Sequence, residues 1–349
     1  MNPAERRVVI ATPLEPELVA AIAAIDEVTV CHEPELLAPP RYRGDHHGDS
    51  GFQRSPEQER RWQALLGGAD AVLGVPDDSP EGLRGAVRAH PRLTWVQGTA
   101  AGTGELVRAA RLSAEELGRV LITSAGGVHA GPLAEFCMLG LLTFTKDLPR
   151  LLADQRAHRW DHRPVAELAG ATVVILGLGA IGTEVARLAH GLGMHTVGVS
   201  RRGRTDSPHL DAVHRSDGLL EVIGGADALV ITLPLTEQTR GMVDTEVLGR
   251  LKPAAIVVNV GRGGVIDEPA LIQALRERRL AGAALDVFAA EPPAPDSPLW
   301  DLPNLLMSPH TAALSLRENE RLVTLFTENL RRCQRGEDLL HRIDPTHLY

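Results

Sequence analysis

The 349-residue sequence is poor in cysteine and in aromatic side chains, and both shortages restrict the class of protein. Only Cys31, Cys137 and Cys333 occur, far apart in the chain and odd in number. This spacing fits neither a disulfide framework nor a zinc site, and it favours a reducing compartment. Aromatic residues make up 3% of the chain and hydrophobic residues 44%. The cores must therefore be built from Leu, Val, Ile and Ala, as in buried parallel strands and the helices that cover them.

The sequence also lacks a long apolar run and an excess of basic charge. The apolar stretch at residues 8–10 is interrupted at Pro13 and is too short for the core of a signal peptide. The longest apolar segment, residues 136–144, is well under a membrane span. A net charge of -9 argues against nucleic acid or an anionic membrane as a partner, although it leaves small anions open. We therefore expect a cytoplasmic protein that binds neither nucleic acid nor membrane.

What the sequence does contain is a regular alternation of short apolar runs with segments of helical period, typical of βα units and parallel sheets. Helices are predicted at about 131–152 and 316–335, and the Pro- and Gly-rich stretch 39–56 is predicted to be a surface loop. The predicted strands are residues 8–11, 29–31, 71–74, 94–97, 120–123, 172–176, 196–200, 228–232, 255–260, 283–287 and 305–307. The pattern indicates an α/β fold of two doubly wound parallel-sheet domains. Residues 129–312 are inserted in a domain made of residues 1–128 and 313–349, with a ligand cleft expected between the two.

A glycine pattern, GxGxxG, lies between a predicted strand and a helical segment. Gly177 permits the tight turn, Gly179 lets the backbone approach a pyrophosphate, and Gly182 lets helix and strand pack closely. Ala180 and Ile181 begin the helix, whose free N–H groups attract an anion. The pattern alone is weak, since a glycine turn without a ligand would look the same. Its flanking strand and helix favour a dinucleotide site, so the inserted domain is predicted to be a Rossmann domain.

The end of the second strand in this domain indicates which dinucleotide binds. An acidic residue usually holds the ribose 2′-hydroxyl of NAD about 20 positions after the glycines. Here the sequence is Ser200, Arg201 and Arg202, and no carboxylate follows until Asp206. Paired guanidinium groups bind a 2′-phosphate well. NADP is therefore favoured over NAD, with a solvated basic turn as the alternative interpretation.

Three further residues follow apolar runs: Arg262 after residues 255–260, Glu291 after 283–287, and His310 after 305–307. Because the carboxyl ends of parallel strands share one edge of a sheet, these side chains can meet in one crevice. A guanidinium, a carboxylate and an imidazole suggest anion binding and proton transfer. Taken singly, they are also explained as a surface ion pair, a loop acid and a helix-capping histidine.

Together these motifs resemble the D-isomer-specific 2-hydroxyacid dehydrogenases, from about residue 93 to residue 330. The shared motifs are residues 177–182, Leu233-Pro234, residues 259–263, Asp267, residues 285–288, Glu291-Pro292, residues 297–300 and Pro309-His310. The resemblance implies hydride transfer between NADPH, or NADH, and a small 2-oxo or 2-hydroxy acid of D configuration, similar to glyoxylate or hydroxypyruvate. It also implies a flavodoxin-like substrate domain and a homodimer formed through the helix that begins near Pro132.

The resemblance assigns a role to each catalytic candidate. Arg262 would hold the substrate carboxylate and polarise the carbonyl. His310 would donate a proton to the carbonyl oxygen during reduction and accept it during oxidation. Glu291 would bond the far nitrogen of the His310 ring, orient it and favour the imidazolium.

Further ligand contacts are implied by the same resemblance. The cofactor site would be lined by Leu233, Pro234, Val260, Gly261 and Asp286. The alternative interpretations are that Pro234 only ends a strand and that Asp286 is only an acid in a turn. In the first domain the backbone N–H groups of Ala101 and Gly102 would bind the substrate carboxylate. The chain departs from the family pattern at Gly104, where an Asp is common. This departure bears on loop rigidity and on the choice of substrate.

Some residues are tempting but less specific. Asp45, His46, His47 and Asp49 are metal-ligand types, yet they lie in the predicted loop without helical or finger spacing, so a solvated loop and no metal is expected. His129 is placed near the crossover between the domains, facing a cleft or acting as a hinge or cap. Trp300 is expected to pack in the core rather than near the site.

Two alternatives to a 2-hydroxyacid enzyme remain open on the sequence. Formate- or phosphonate-type oxidation is disfavoured, because the extra substrate-site residues of those members are not found. A dinucleotide-sensing binding protein, similar to the corepressor branch of the family, keeps the same Arg, Glu and His. The acidic chain and the lack of long disordered tails weigh against it.

Overall fold

The computed structural model describes residues 6–344, and the chain divides into two compact units. One unit comprises the residues up to His129 and those from Leu314 onward, and the other comprises Ala130–Ala313. The strands are β1 Arg6–Ile10, β2 Val28–Cys31, β3 Ala71–Leu73, β4 Trp95–Gln97, β5 Leu121–Thr123, β6 Thr172–Leu176, β7 His195–Ser200, β8 Ala212–Arg215, β9 Ala228–Ile231, β10 Ala255–Asn259, β11 Leu280–Leu285 and β12 Leu305–Met307. The α-helices are α1 Pro16–Ala23, α2 Pro56–Gly67, α3 Pro80–Ala89, α4 Thr103–Ala110, α5 Ala114–Arg119, α6 Ala130–Thr145, α7 Leu148–Arg156, α8 Ala180–Gly191, α9 Leu219–Val222, α10 Thr245–Arg250, α11 Glu268–Arg276 and α12 Glu318–Arg335.

The first unit contains a five-stranded parallel sheet in the order β2-β1-β3-β4-β5. This is the flavodoxin-like order of a doubly wound sheet. Its strands are short and apolar, because both faces are covered by helices. Serine caps fix where two of those helices begin: Ser55 and Ser113 each form a capping box at the start of α2 and α5.

The second unit contains a seven-stranded parallel sheet in the order β12-β11-β10-β9-β6-β7-β8. Separate apolar clusters cover its two faces, one built around α6 and α8 and the other around α10 and α11. The strand order reverses between β6 and β9, and such a reversal is where ligands bind in open α/β sheets. The predicted α/β fold with two doubly wound parallel sheets is confirmed.

Two elements differ from the sequence prediction. Strand β8 was not predicted, because Ala212–Arg215 is a partly exposed edge strand without a continuous apolar run. The long helix predicted at about 131–152 is two helices, α6 and α7. The chain breaks at Asp147, which has a left-handed φ of 51°, and Pro149 lies in the first turn of α7.

The segment of residues 39–56 is irregular as predicted, but the solvated loop expected at residues 45–49 is wrong for two of its side chains. Asp45 is buried, and its carboxylate accepts hydrogen bonds from the backbone N–H groups of Arg41 (2.9 Å) and Gly48 (3.1 Å). The Arg41 guanidinium also donates to it at 2.7 Å. Hydrogen bonding to Arg41 holds the pKa of Asp45 well below its usual range. The Asp45 side chain thus joins residues 41 and 48 of the loop by hydrogen bonds.

The imidazole of His46 fastens this loop to the rest of the first unit. Its Nδ1 atom is 2.7 Å from the hydroxyl oxygen of Thr12, just after β1. Its Nε2 atom lies 3.6 Å from the carboxylate of Glu318 at the start of α12, and His129 Nε2 hydrogen-bonds the same carboxylate oxygen at 3.0 Å. His129 therefore anchors the end of the first unit to α12. No helix within residues 6–344 is long and apolar enough to cross a membrane.

Candidate active site

In the second unit, the residues singled out from the sequence follow the carboxyl ends of adjacent parallel strands. Gly177 follows β6, Ser200 ends β7, Leu233 follows β9, Arg262 follows β10, and His310 follows β12. Since all the strands of this sheet are parallel, these positions lie at one edge. The predicted cofactor residues and the predicted catalytic residues of this unit therefore lie at the same edge of one sheet.

The turn between β6 and α8 has the geometry that a pyrophosphate requires. Gly177 has a φ of 108°, which other residues rarely adopt. A Cβ atom on Gly182 would lie 1.9 Å from the carbonyl oxygen of Gly177, whereas one on Gly179 would meet nothing within 4 Å. Gly179 precedes Ala180 and Ile181 in the first turn of α8, where backbone N–H groups have no intrahelical partner. These residues fit the phosphates of a dinucleotide.

The neighbouring strands support this turn. The hydroxyl of Thr232, after β9, donates to the carbonyl oxygen of Gly177 at 3.0 Å. Leu233 and Pro234 continue past the strand end, and a Cβ atom on Gly261 would lie 2.5 Å from the carbonyl oxygen of Leu233. The backbone of the β10 loop therefore packs directly on the β9 loop. Thr232 was noted in the sequence only as part of a strand end, and its hydrogen bond was not foreseen.

Beyond β7 lies an open cleft of about 620 Å³ with a basic wall. It is lined by Leu178, Ser200, Arg201, Arg202, Arg204, Thr205 and Asp206. Within residues 6–344 the three guanidinium groups form no salt bridge, so their charge is available to a ligand. Ser200 shapes this turn, because its hydroxyl accepts from the N–H of Gly203 at 3.2 Å. Asp206, the nearest downstream acid in the sequence, shares the cleft with the arginines.

The loop after β10 holds Arg262 through the buried side chain of Asn259. The Asn259 amide donates to the carbonyl oxygen of Arg262 at 3.1 Å, and its oxygen accepts from the N–H of Gly261 at 3.0 Å. A Cβ atom on Gly263 would lie 2.0 Å from the Phe288 backbone, so this loop is in close contact with the loop after β11. Val260, before the loop, is buried and its N–H donates to Ile231 of β9. Sequence reasoning included Asn259 in a motif but missed this bracing role.

Glu291 and His310 form a hydrogen-bonded pair. The Nδ1–H of His310 donates to Oε2 of Glu291 at 2.7 Å, and the N–H of Phe288 donates to Oε1 at 2.9 Å. Burial raises the pKa of Glu291, but the bonds from His310 and Phe288 and the charge of Arg262 outweigh it, so its pKa lies below the usual value. Glu291 is thus held as a carboxylate against the imidazole. His310 has a left-handed φ of 57°, and about half of its side chain remains exposed.

The loop that carries His310 is fixed from the other side by Asp286. The buried carboxylate of Asp286, after β11, accepts from the backbone N–H of Ala312 at 3.0 Å. Asp286 therefore contacts the histidine loop directly.

Beside the pair is a cleft of about 510 Å³ that includes Phe288, Glu291, His310 and Trp300 in its lining. Trp300 is 54% exposed and its indole N–H donates to Ala294, so the expectation that it packs in the core is wrong.

In the first unit, the loop that follows β4 contains Ala101 and Gly102. The carbonyl oxygen of Ala100 accepts from the Thr103 hydroxyl at 2.6 Å and from the N–H of Ala125 at 3.0 Å. Within the described part of the chain, the N–H groups of Ala101 and Gly102 donate to no protein acceptor. They stand at the start of α4, where an anion is favoured.

Comparison with known proteins identifies the family. Residues 138–312 match the model of the D-isomer specific 2-hydroxyacid dehydrogenase, NAD binding domain. A putative 2-hydroxyacid dehydrogenase of Haemophilus influenzae is 32% identical over 255 residues, which covers 69% of this chain and 77% of that protein. The chain belongs to the D-isomer specific 2-hydroxyacid dehydrogenase family.

Two solved structures extend the similarity over nearly the whole chain. The D-isomer specific 2-hydroxyacid dehydrogenase of Xanthobacter autotrophicus, in complex with NADPH and MES, is 29% identical, with a TM-score of 0.75 over 99% of this chain and 100% of that chain. The NADPH-dependent glyoxylate/hydroxypyruvate reductase of Sinorhizobium meliloti, in complex with NADP and sulfate, is 26% identical, with a TM-score of 0.74 over the same shares. With the family established, the chain is an NAD(P)-dependent enzyme of the D-2-hydroxyacid dehydrogenase and 2-oxoacid reductase class.

Proposed function

We propose that this enzyme transfers a hydride between NADPH and a small 2-oxo or 2-hydroxy acid of D configuration, of the glyoxylate or hydroxypyruvate kind. The observation that carries the proposal is the 2.7 Å pair of His310 and Glu291, close enough to Arg262 for its charge to act on the acid. These are the three groups that reduction of a 2-oxo acid needs: a proton donor, its orienting carboxylate and a cation for the substrate anion.

The residues divide the chemistry between them. A bound nicotinamide would supply or accept the hydride. The Nδ1–H of His310 is committed to Glu291, so Nε2 is the nitrogen that gives a proton to the carbonyl oxygen during reduction and takes it back during oxidation. The Glu291 carboxylate stabilises the imidazolium that this step requires. Arg262 binds the substrate carboxylate and polarises the adjacent carbonyl group.

Binding of the two ligands is assigned to distinct groups. We propose that residues 177–182, with Leu233, Pro234, Val260, Gly261 and Asp286, hold the cofactor. The guanidinium groups of Arg201 and Arg202, which line the cleft after β7, favour NADPH, because a 2′-phosphate accepts charge-assisted bonds from them. The free N–H groups of Ala101 and Gly102 would bind the carboxylate of the substrate.

The cofactor assignment is tested by replacing both cleft arginines with alanine. Arg201→Ala/Arg202→Ala should raise the KM for NADPH by ~30-fold or more and leave the KM for NADH nearly unchanged, since two charge-assisted contacts contribute on the order of 2–4 kcal/mol. Steady-state rates with glyoxylate and hydroxypyruvate measure both constants. Arg250→Ala is the matched control, because Arg250 is exposed and paired with Glu246 on α10.

Two outcomes would contradict the proposal in different ways. Equal effects on both cofactors would mean that the arginines are only a basic surface turn. No oxidation of either cofactor by wild-type protein across a panel of 2-oxo acids would instead favour the dinucleotide-sensing alternative.

We propose further that the enzyme is a cytoplasmic homodimer. The scattered free cysteines favour a reducing compartment. The proposal of a dimer is based on α6, α7 and the segment after them, which expose several large apolar side chains. Such a patch marks an interaction surface.

A further inference from the structure

We propose that Asn329, on α12, is a positioning residue for the loop of residues 98–102 and acts through the side chain of Gln97. The inference rests on the proposed role of this loop in binding the substrate carboxylate. It adds a residue from the last helix of the first unit, 227 positions or more from the loop in sequence, to the machinery that sets substrate affinity.

Gln97 connects β4 to the loop. It is the last residue of the strand and is 0% exposed. Its side-chain amide donates to the carbonyl oxygens of Gly98 at 3.0 Å and Ser124 at 2.9 Å. Gly98 is the first residue of the loop, so the Gln97 amide fixes the backbone where the loop begins.

The orientation of that amide is set by donors on its other side. The Gln97 side-chain oxygen accepts from the hydroxyl of Thr123 at 2.8 Å and from the Nδ2–H of Asn329 at 3.2 Å. The Trp95 indole donates to the Thr123 hydroxyl at 2.8 Å, which directs the hydroxyl proton to Gln97. If the amide of Gln97 turned over, its oxygen would face two carbonyl oxygens in a buried site. Asn329 and Thr123 prevent this, because buried donors require an acceptor.

Asn329 is itself held rigidly. Its oxygen accepts from the N–H of Leu340 at 2.7 Å, and its Nδ2–H also donates to the carbonyl oxygen of Leu340 at 3.2 Å. The segment after Leu340 pairs with β5, since Ser124 donates to His341 and Ile343 donates to Ile122, both at 2.9 Å. The support of the loop thus includes α12 and the segment that follows it.

The network ends at the groups that would bind the carboxylate. The N–H of Gly98 donates to Thr123 at 2.8 Å, and Ala100 is held by Thr103 and Ala125. Between these fixed points stand the free N–H groups of Ala101 and Gly102. Loosening the network should therefore weaken carboxylate binding and leave proton transfer at His310 intact.

The experiment compares Asn329→Ala with Gln334→Ala. Gln334 lies on the same helix, and its side chain donates a hydrogen bond to Asp26, which precedes the edge strand β2 and is far from β4 in the sheet. Asn329→Ala should raise the KM for glyoxylate by on the order of 10-fold, with kcat within ~2-fold and the KM for NADPH unchanged. Amide hydrogen exchange of residues 98–102 should become faster in Asn329→Ala and stay at the wild-type rate in Gln334→Ala.

Two more variants keep the inference falsifiable. Asn329→Asp keeps the volume and the acceptor for the N–H of Leu340 but loses the donor to Gln97 and to the carbonyl oxygen of Leu340. It should show the same rise in KM, and a wild-type KM would overturn the inference. If Asn329 acts through Gln97, the effects of Asn329→Ala and Gln97→Ala on KM should be less than additive. Fully additive effects would overturn it.

Failure of this inference differs from failure of the proposed function. If the wild-type protein reduces no 2-oxo acid, the proposed function fails, and hydrogen exchange of residues 98–102 still tests whether Asn329 holds the loop. If the enzyme is active but Asn329→Ala matches Gln334→Ala in KM and in exchange, the inference alone is wrong.

Discussion

At the scale of single residues, hydrogen bonds hold the side chain of Glu291 and the loops that carry Arg262 and His310. The two oxygens of Glu291 have different partners, the N–H of Phe288 and the ring of His310. Asn259 braces the Arg262 loop, and Asp286 braces the loop after His310. The functional groups are therefore positioned by neighbours a few residues beyond adjacent strand ends, as a preorganised site requires.

The Glu291–His310 pair makes a prediction about pH. The lowered pKa of Glu291 keeps it ionised across the neutral range, so it stabilises the imidazolium there. Glu291→Gln should therefore move the alkaline decline of the reduction rate to lower pH, while the KM for the 2-oxo acid changes little. The measurement is kcat/KM for reduction as a function of pH. An unchanged profile would mean that the pairing does not matter in solution.

His310→Ala is the reference for that experiment. Removing the proton donor should lower kcat by roughly 10²–10⁴-fold at pH values below the wild-type alkaline decline, and by less above it. The glutamine variant should thus resemble wild type at acidic pH and approach the alanine variant at alkaline pH.

At the scale of elements, the sequence predicted most strands because buried parallel strands read as continuous apolar runs. Strand β8 lies at an edge and is partly exposed, so its sequence carried no such signal. The break between α6 and α7 depends on one left-handed residue, Asp147, within an otherwise helical pattern.

The same holds for the site residues: those in local sequence motifs were identified from the sequence, and those held by contacts between distant residues were not. The glycine turn and the Arg, Glu and His were singled out because each lies in a motif within a few residues of the end of a strand. Gln97, Asn329, His46 and Glu318 were not assigned partners, since their contacts join residues far apart in the chain: 232 positions separate Gln97 from Asn329. Only the folded topology brings such pairs together.

Glu318, in the first turn of α12, carries a prediction about stability. It is 4% exposed; burial raises its pKa, but the bond from His129 and the charge of His46 outweigh this and lower the pKa from 4.5 to about 2. Because the folded-state pKa is depressed, the stabilisation is complete above about pH 4.5 and is lost as the pH falls toward about 2. Glu318→Gln should remove a pH-dependent contribution on the order of 3 kcal/mol.

Urea unfolding at pH 7, 4 and 3 would measure this contribution. Wild type should keep this contribution down to about pH 4.5 and lose part of it by pH 3, whereas Glu318→Gln should be less stable at pH 7 and change less below pH 4.5. Glu320→Gln, a more exposed carboxylate on the same helix that pairs with Arg317, serves as the control. If both variants keep the wild-type pH dependence, the buried carboxylate is not ionised as inferred.

At the scale of the whole molecule, the chain combines two parallel sheets, each with loops that follow the carboxyl ends of its strands. The second unit is continuous in sequence, whereas the first is completed only when the chain returns at Leu314. Its α12 then supplies both Glu318 and Asn329, so residues after the insertion contact residues before it. The first unit therefore contains hydrogen bonds between residues far apart in the sequence.

The distribution of exposed apolar side chains predicts the oligomeric state. Among the described residues, seven of the thirteen exposed large hydrophobic side chains lie between residues 139 and 165, which includes Trp160 at 96% exposure. The seven are Leu139, Leu142, Leu148, Leu151, Leu152, Trp160 and Val165. Exposed apolar side chains concentrated in one segment are unfavourable in water, and a second copy of the chain would bury them in an isologous contact. We expect twice the mass of one chain by light scattering at micromolar concentration.

The interface is tested with paired variants. Leu142→Glu/Leu151→Glu should convert the dimer to a folded monomer, because dimer formation would bury two unpaired carboxylates from each copy. Leu192→Glu/Leu220→Glu changes two leucines of similar exposure elsewhere in the second unit and should leave the dimer intact. The prediction is wrong if the wild type is a monomer or if Leu142→Glu/Leu151→Glu leaves the dimer intact. Either result would mean that the exposed leucines of α6 and α7 do not form an interface between two copies.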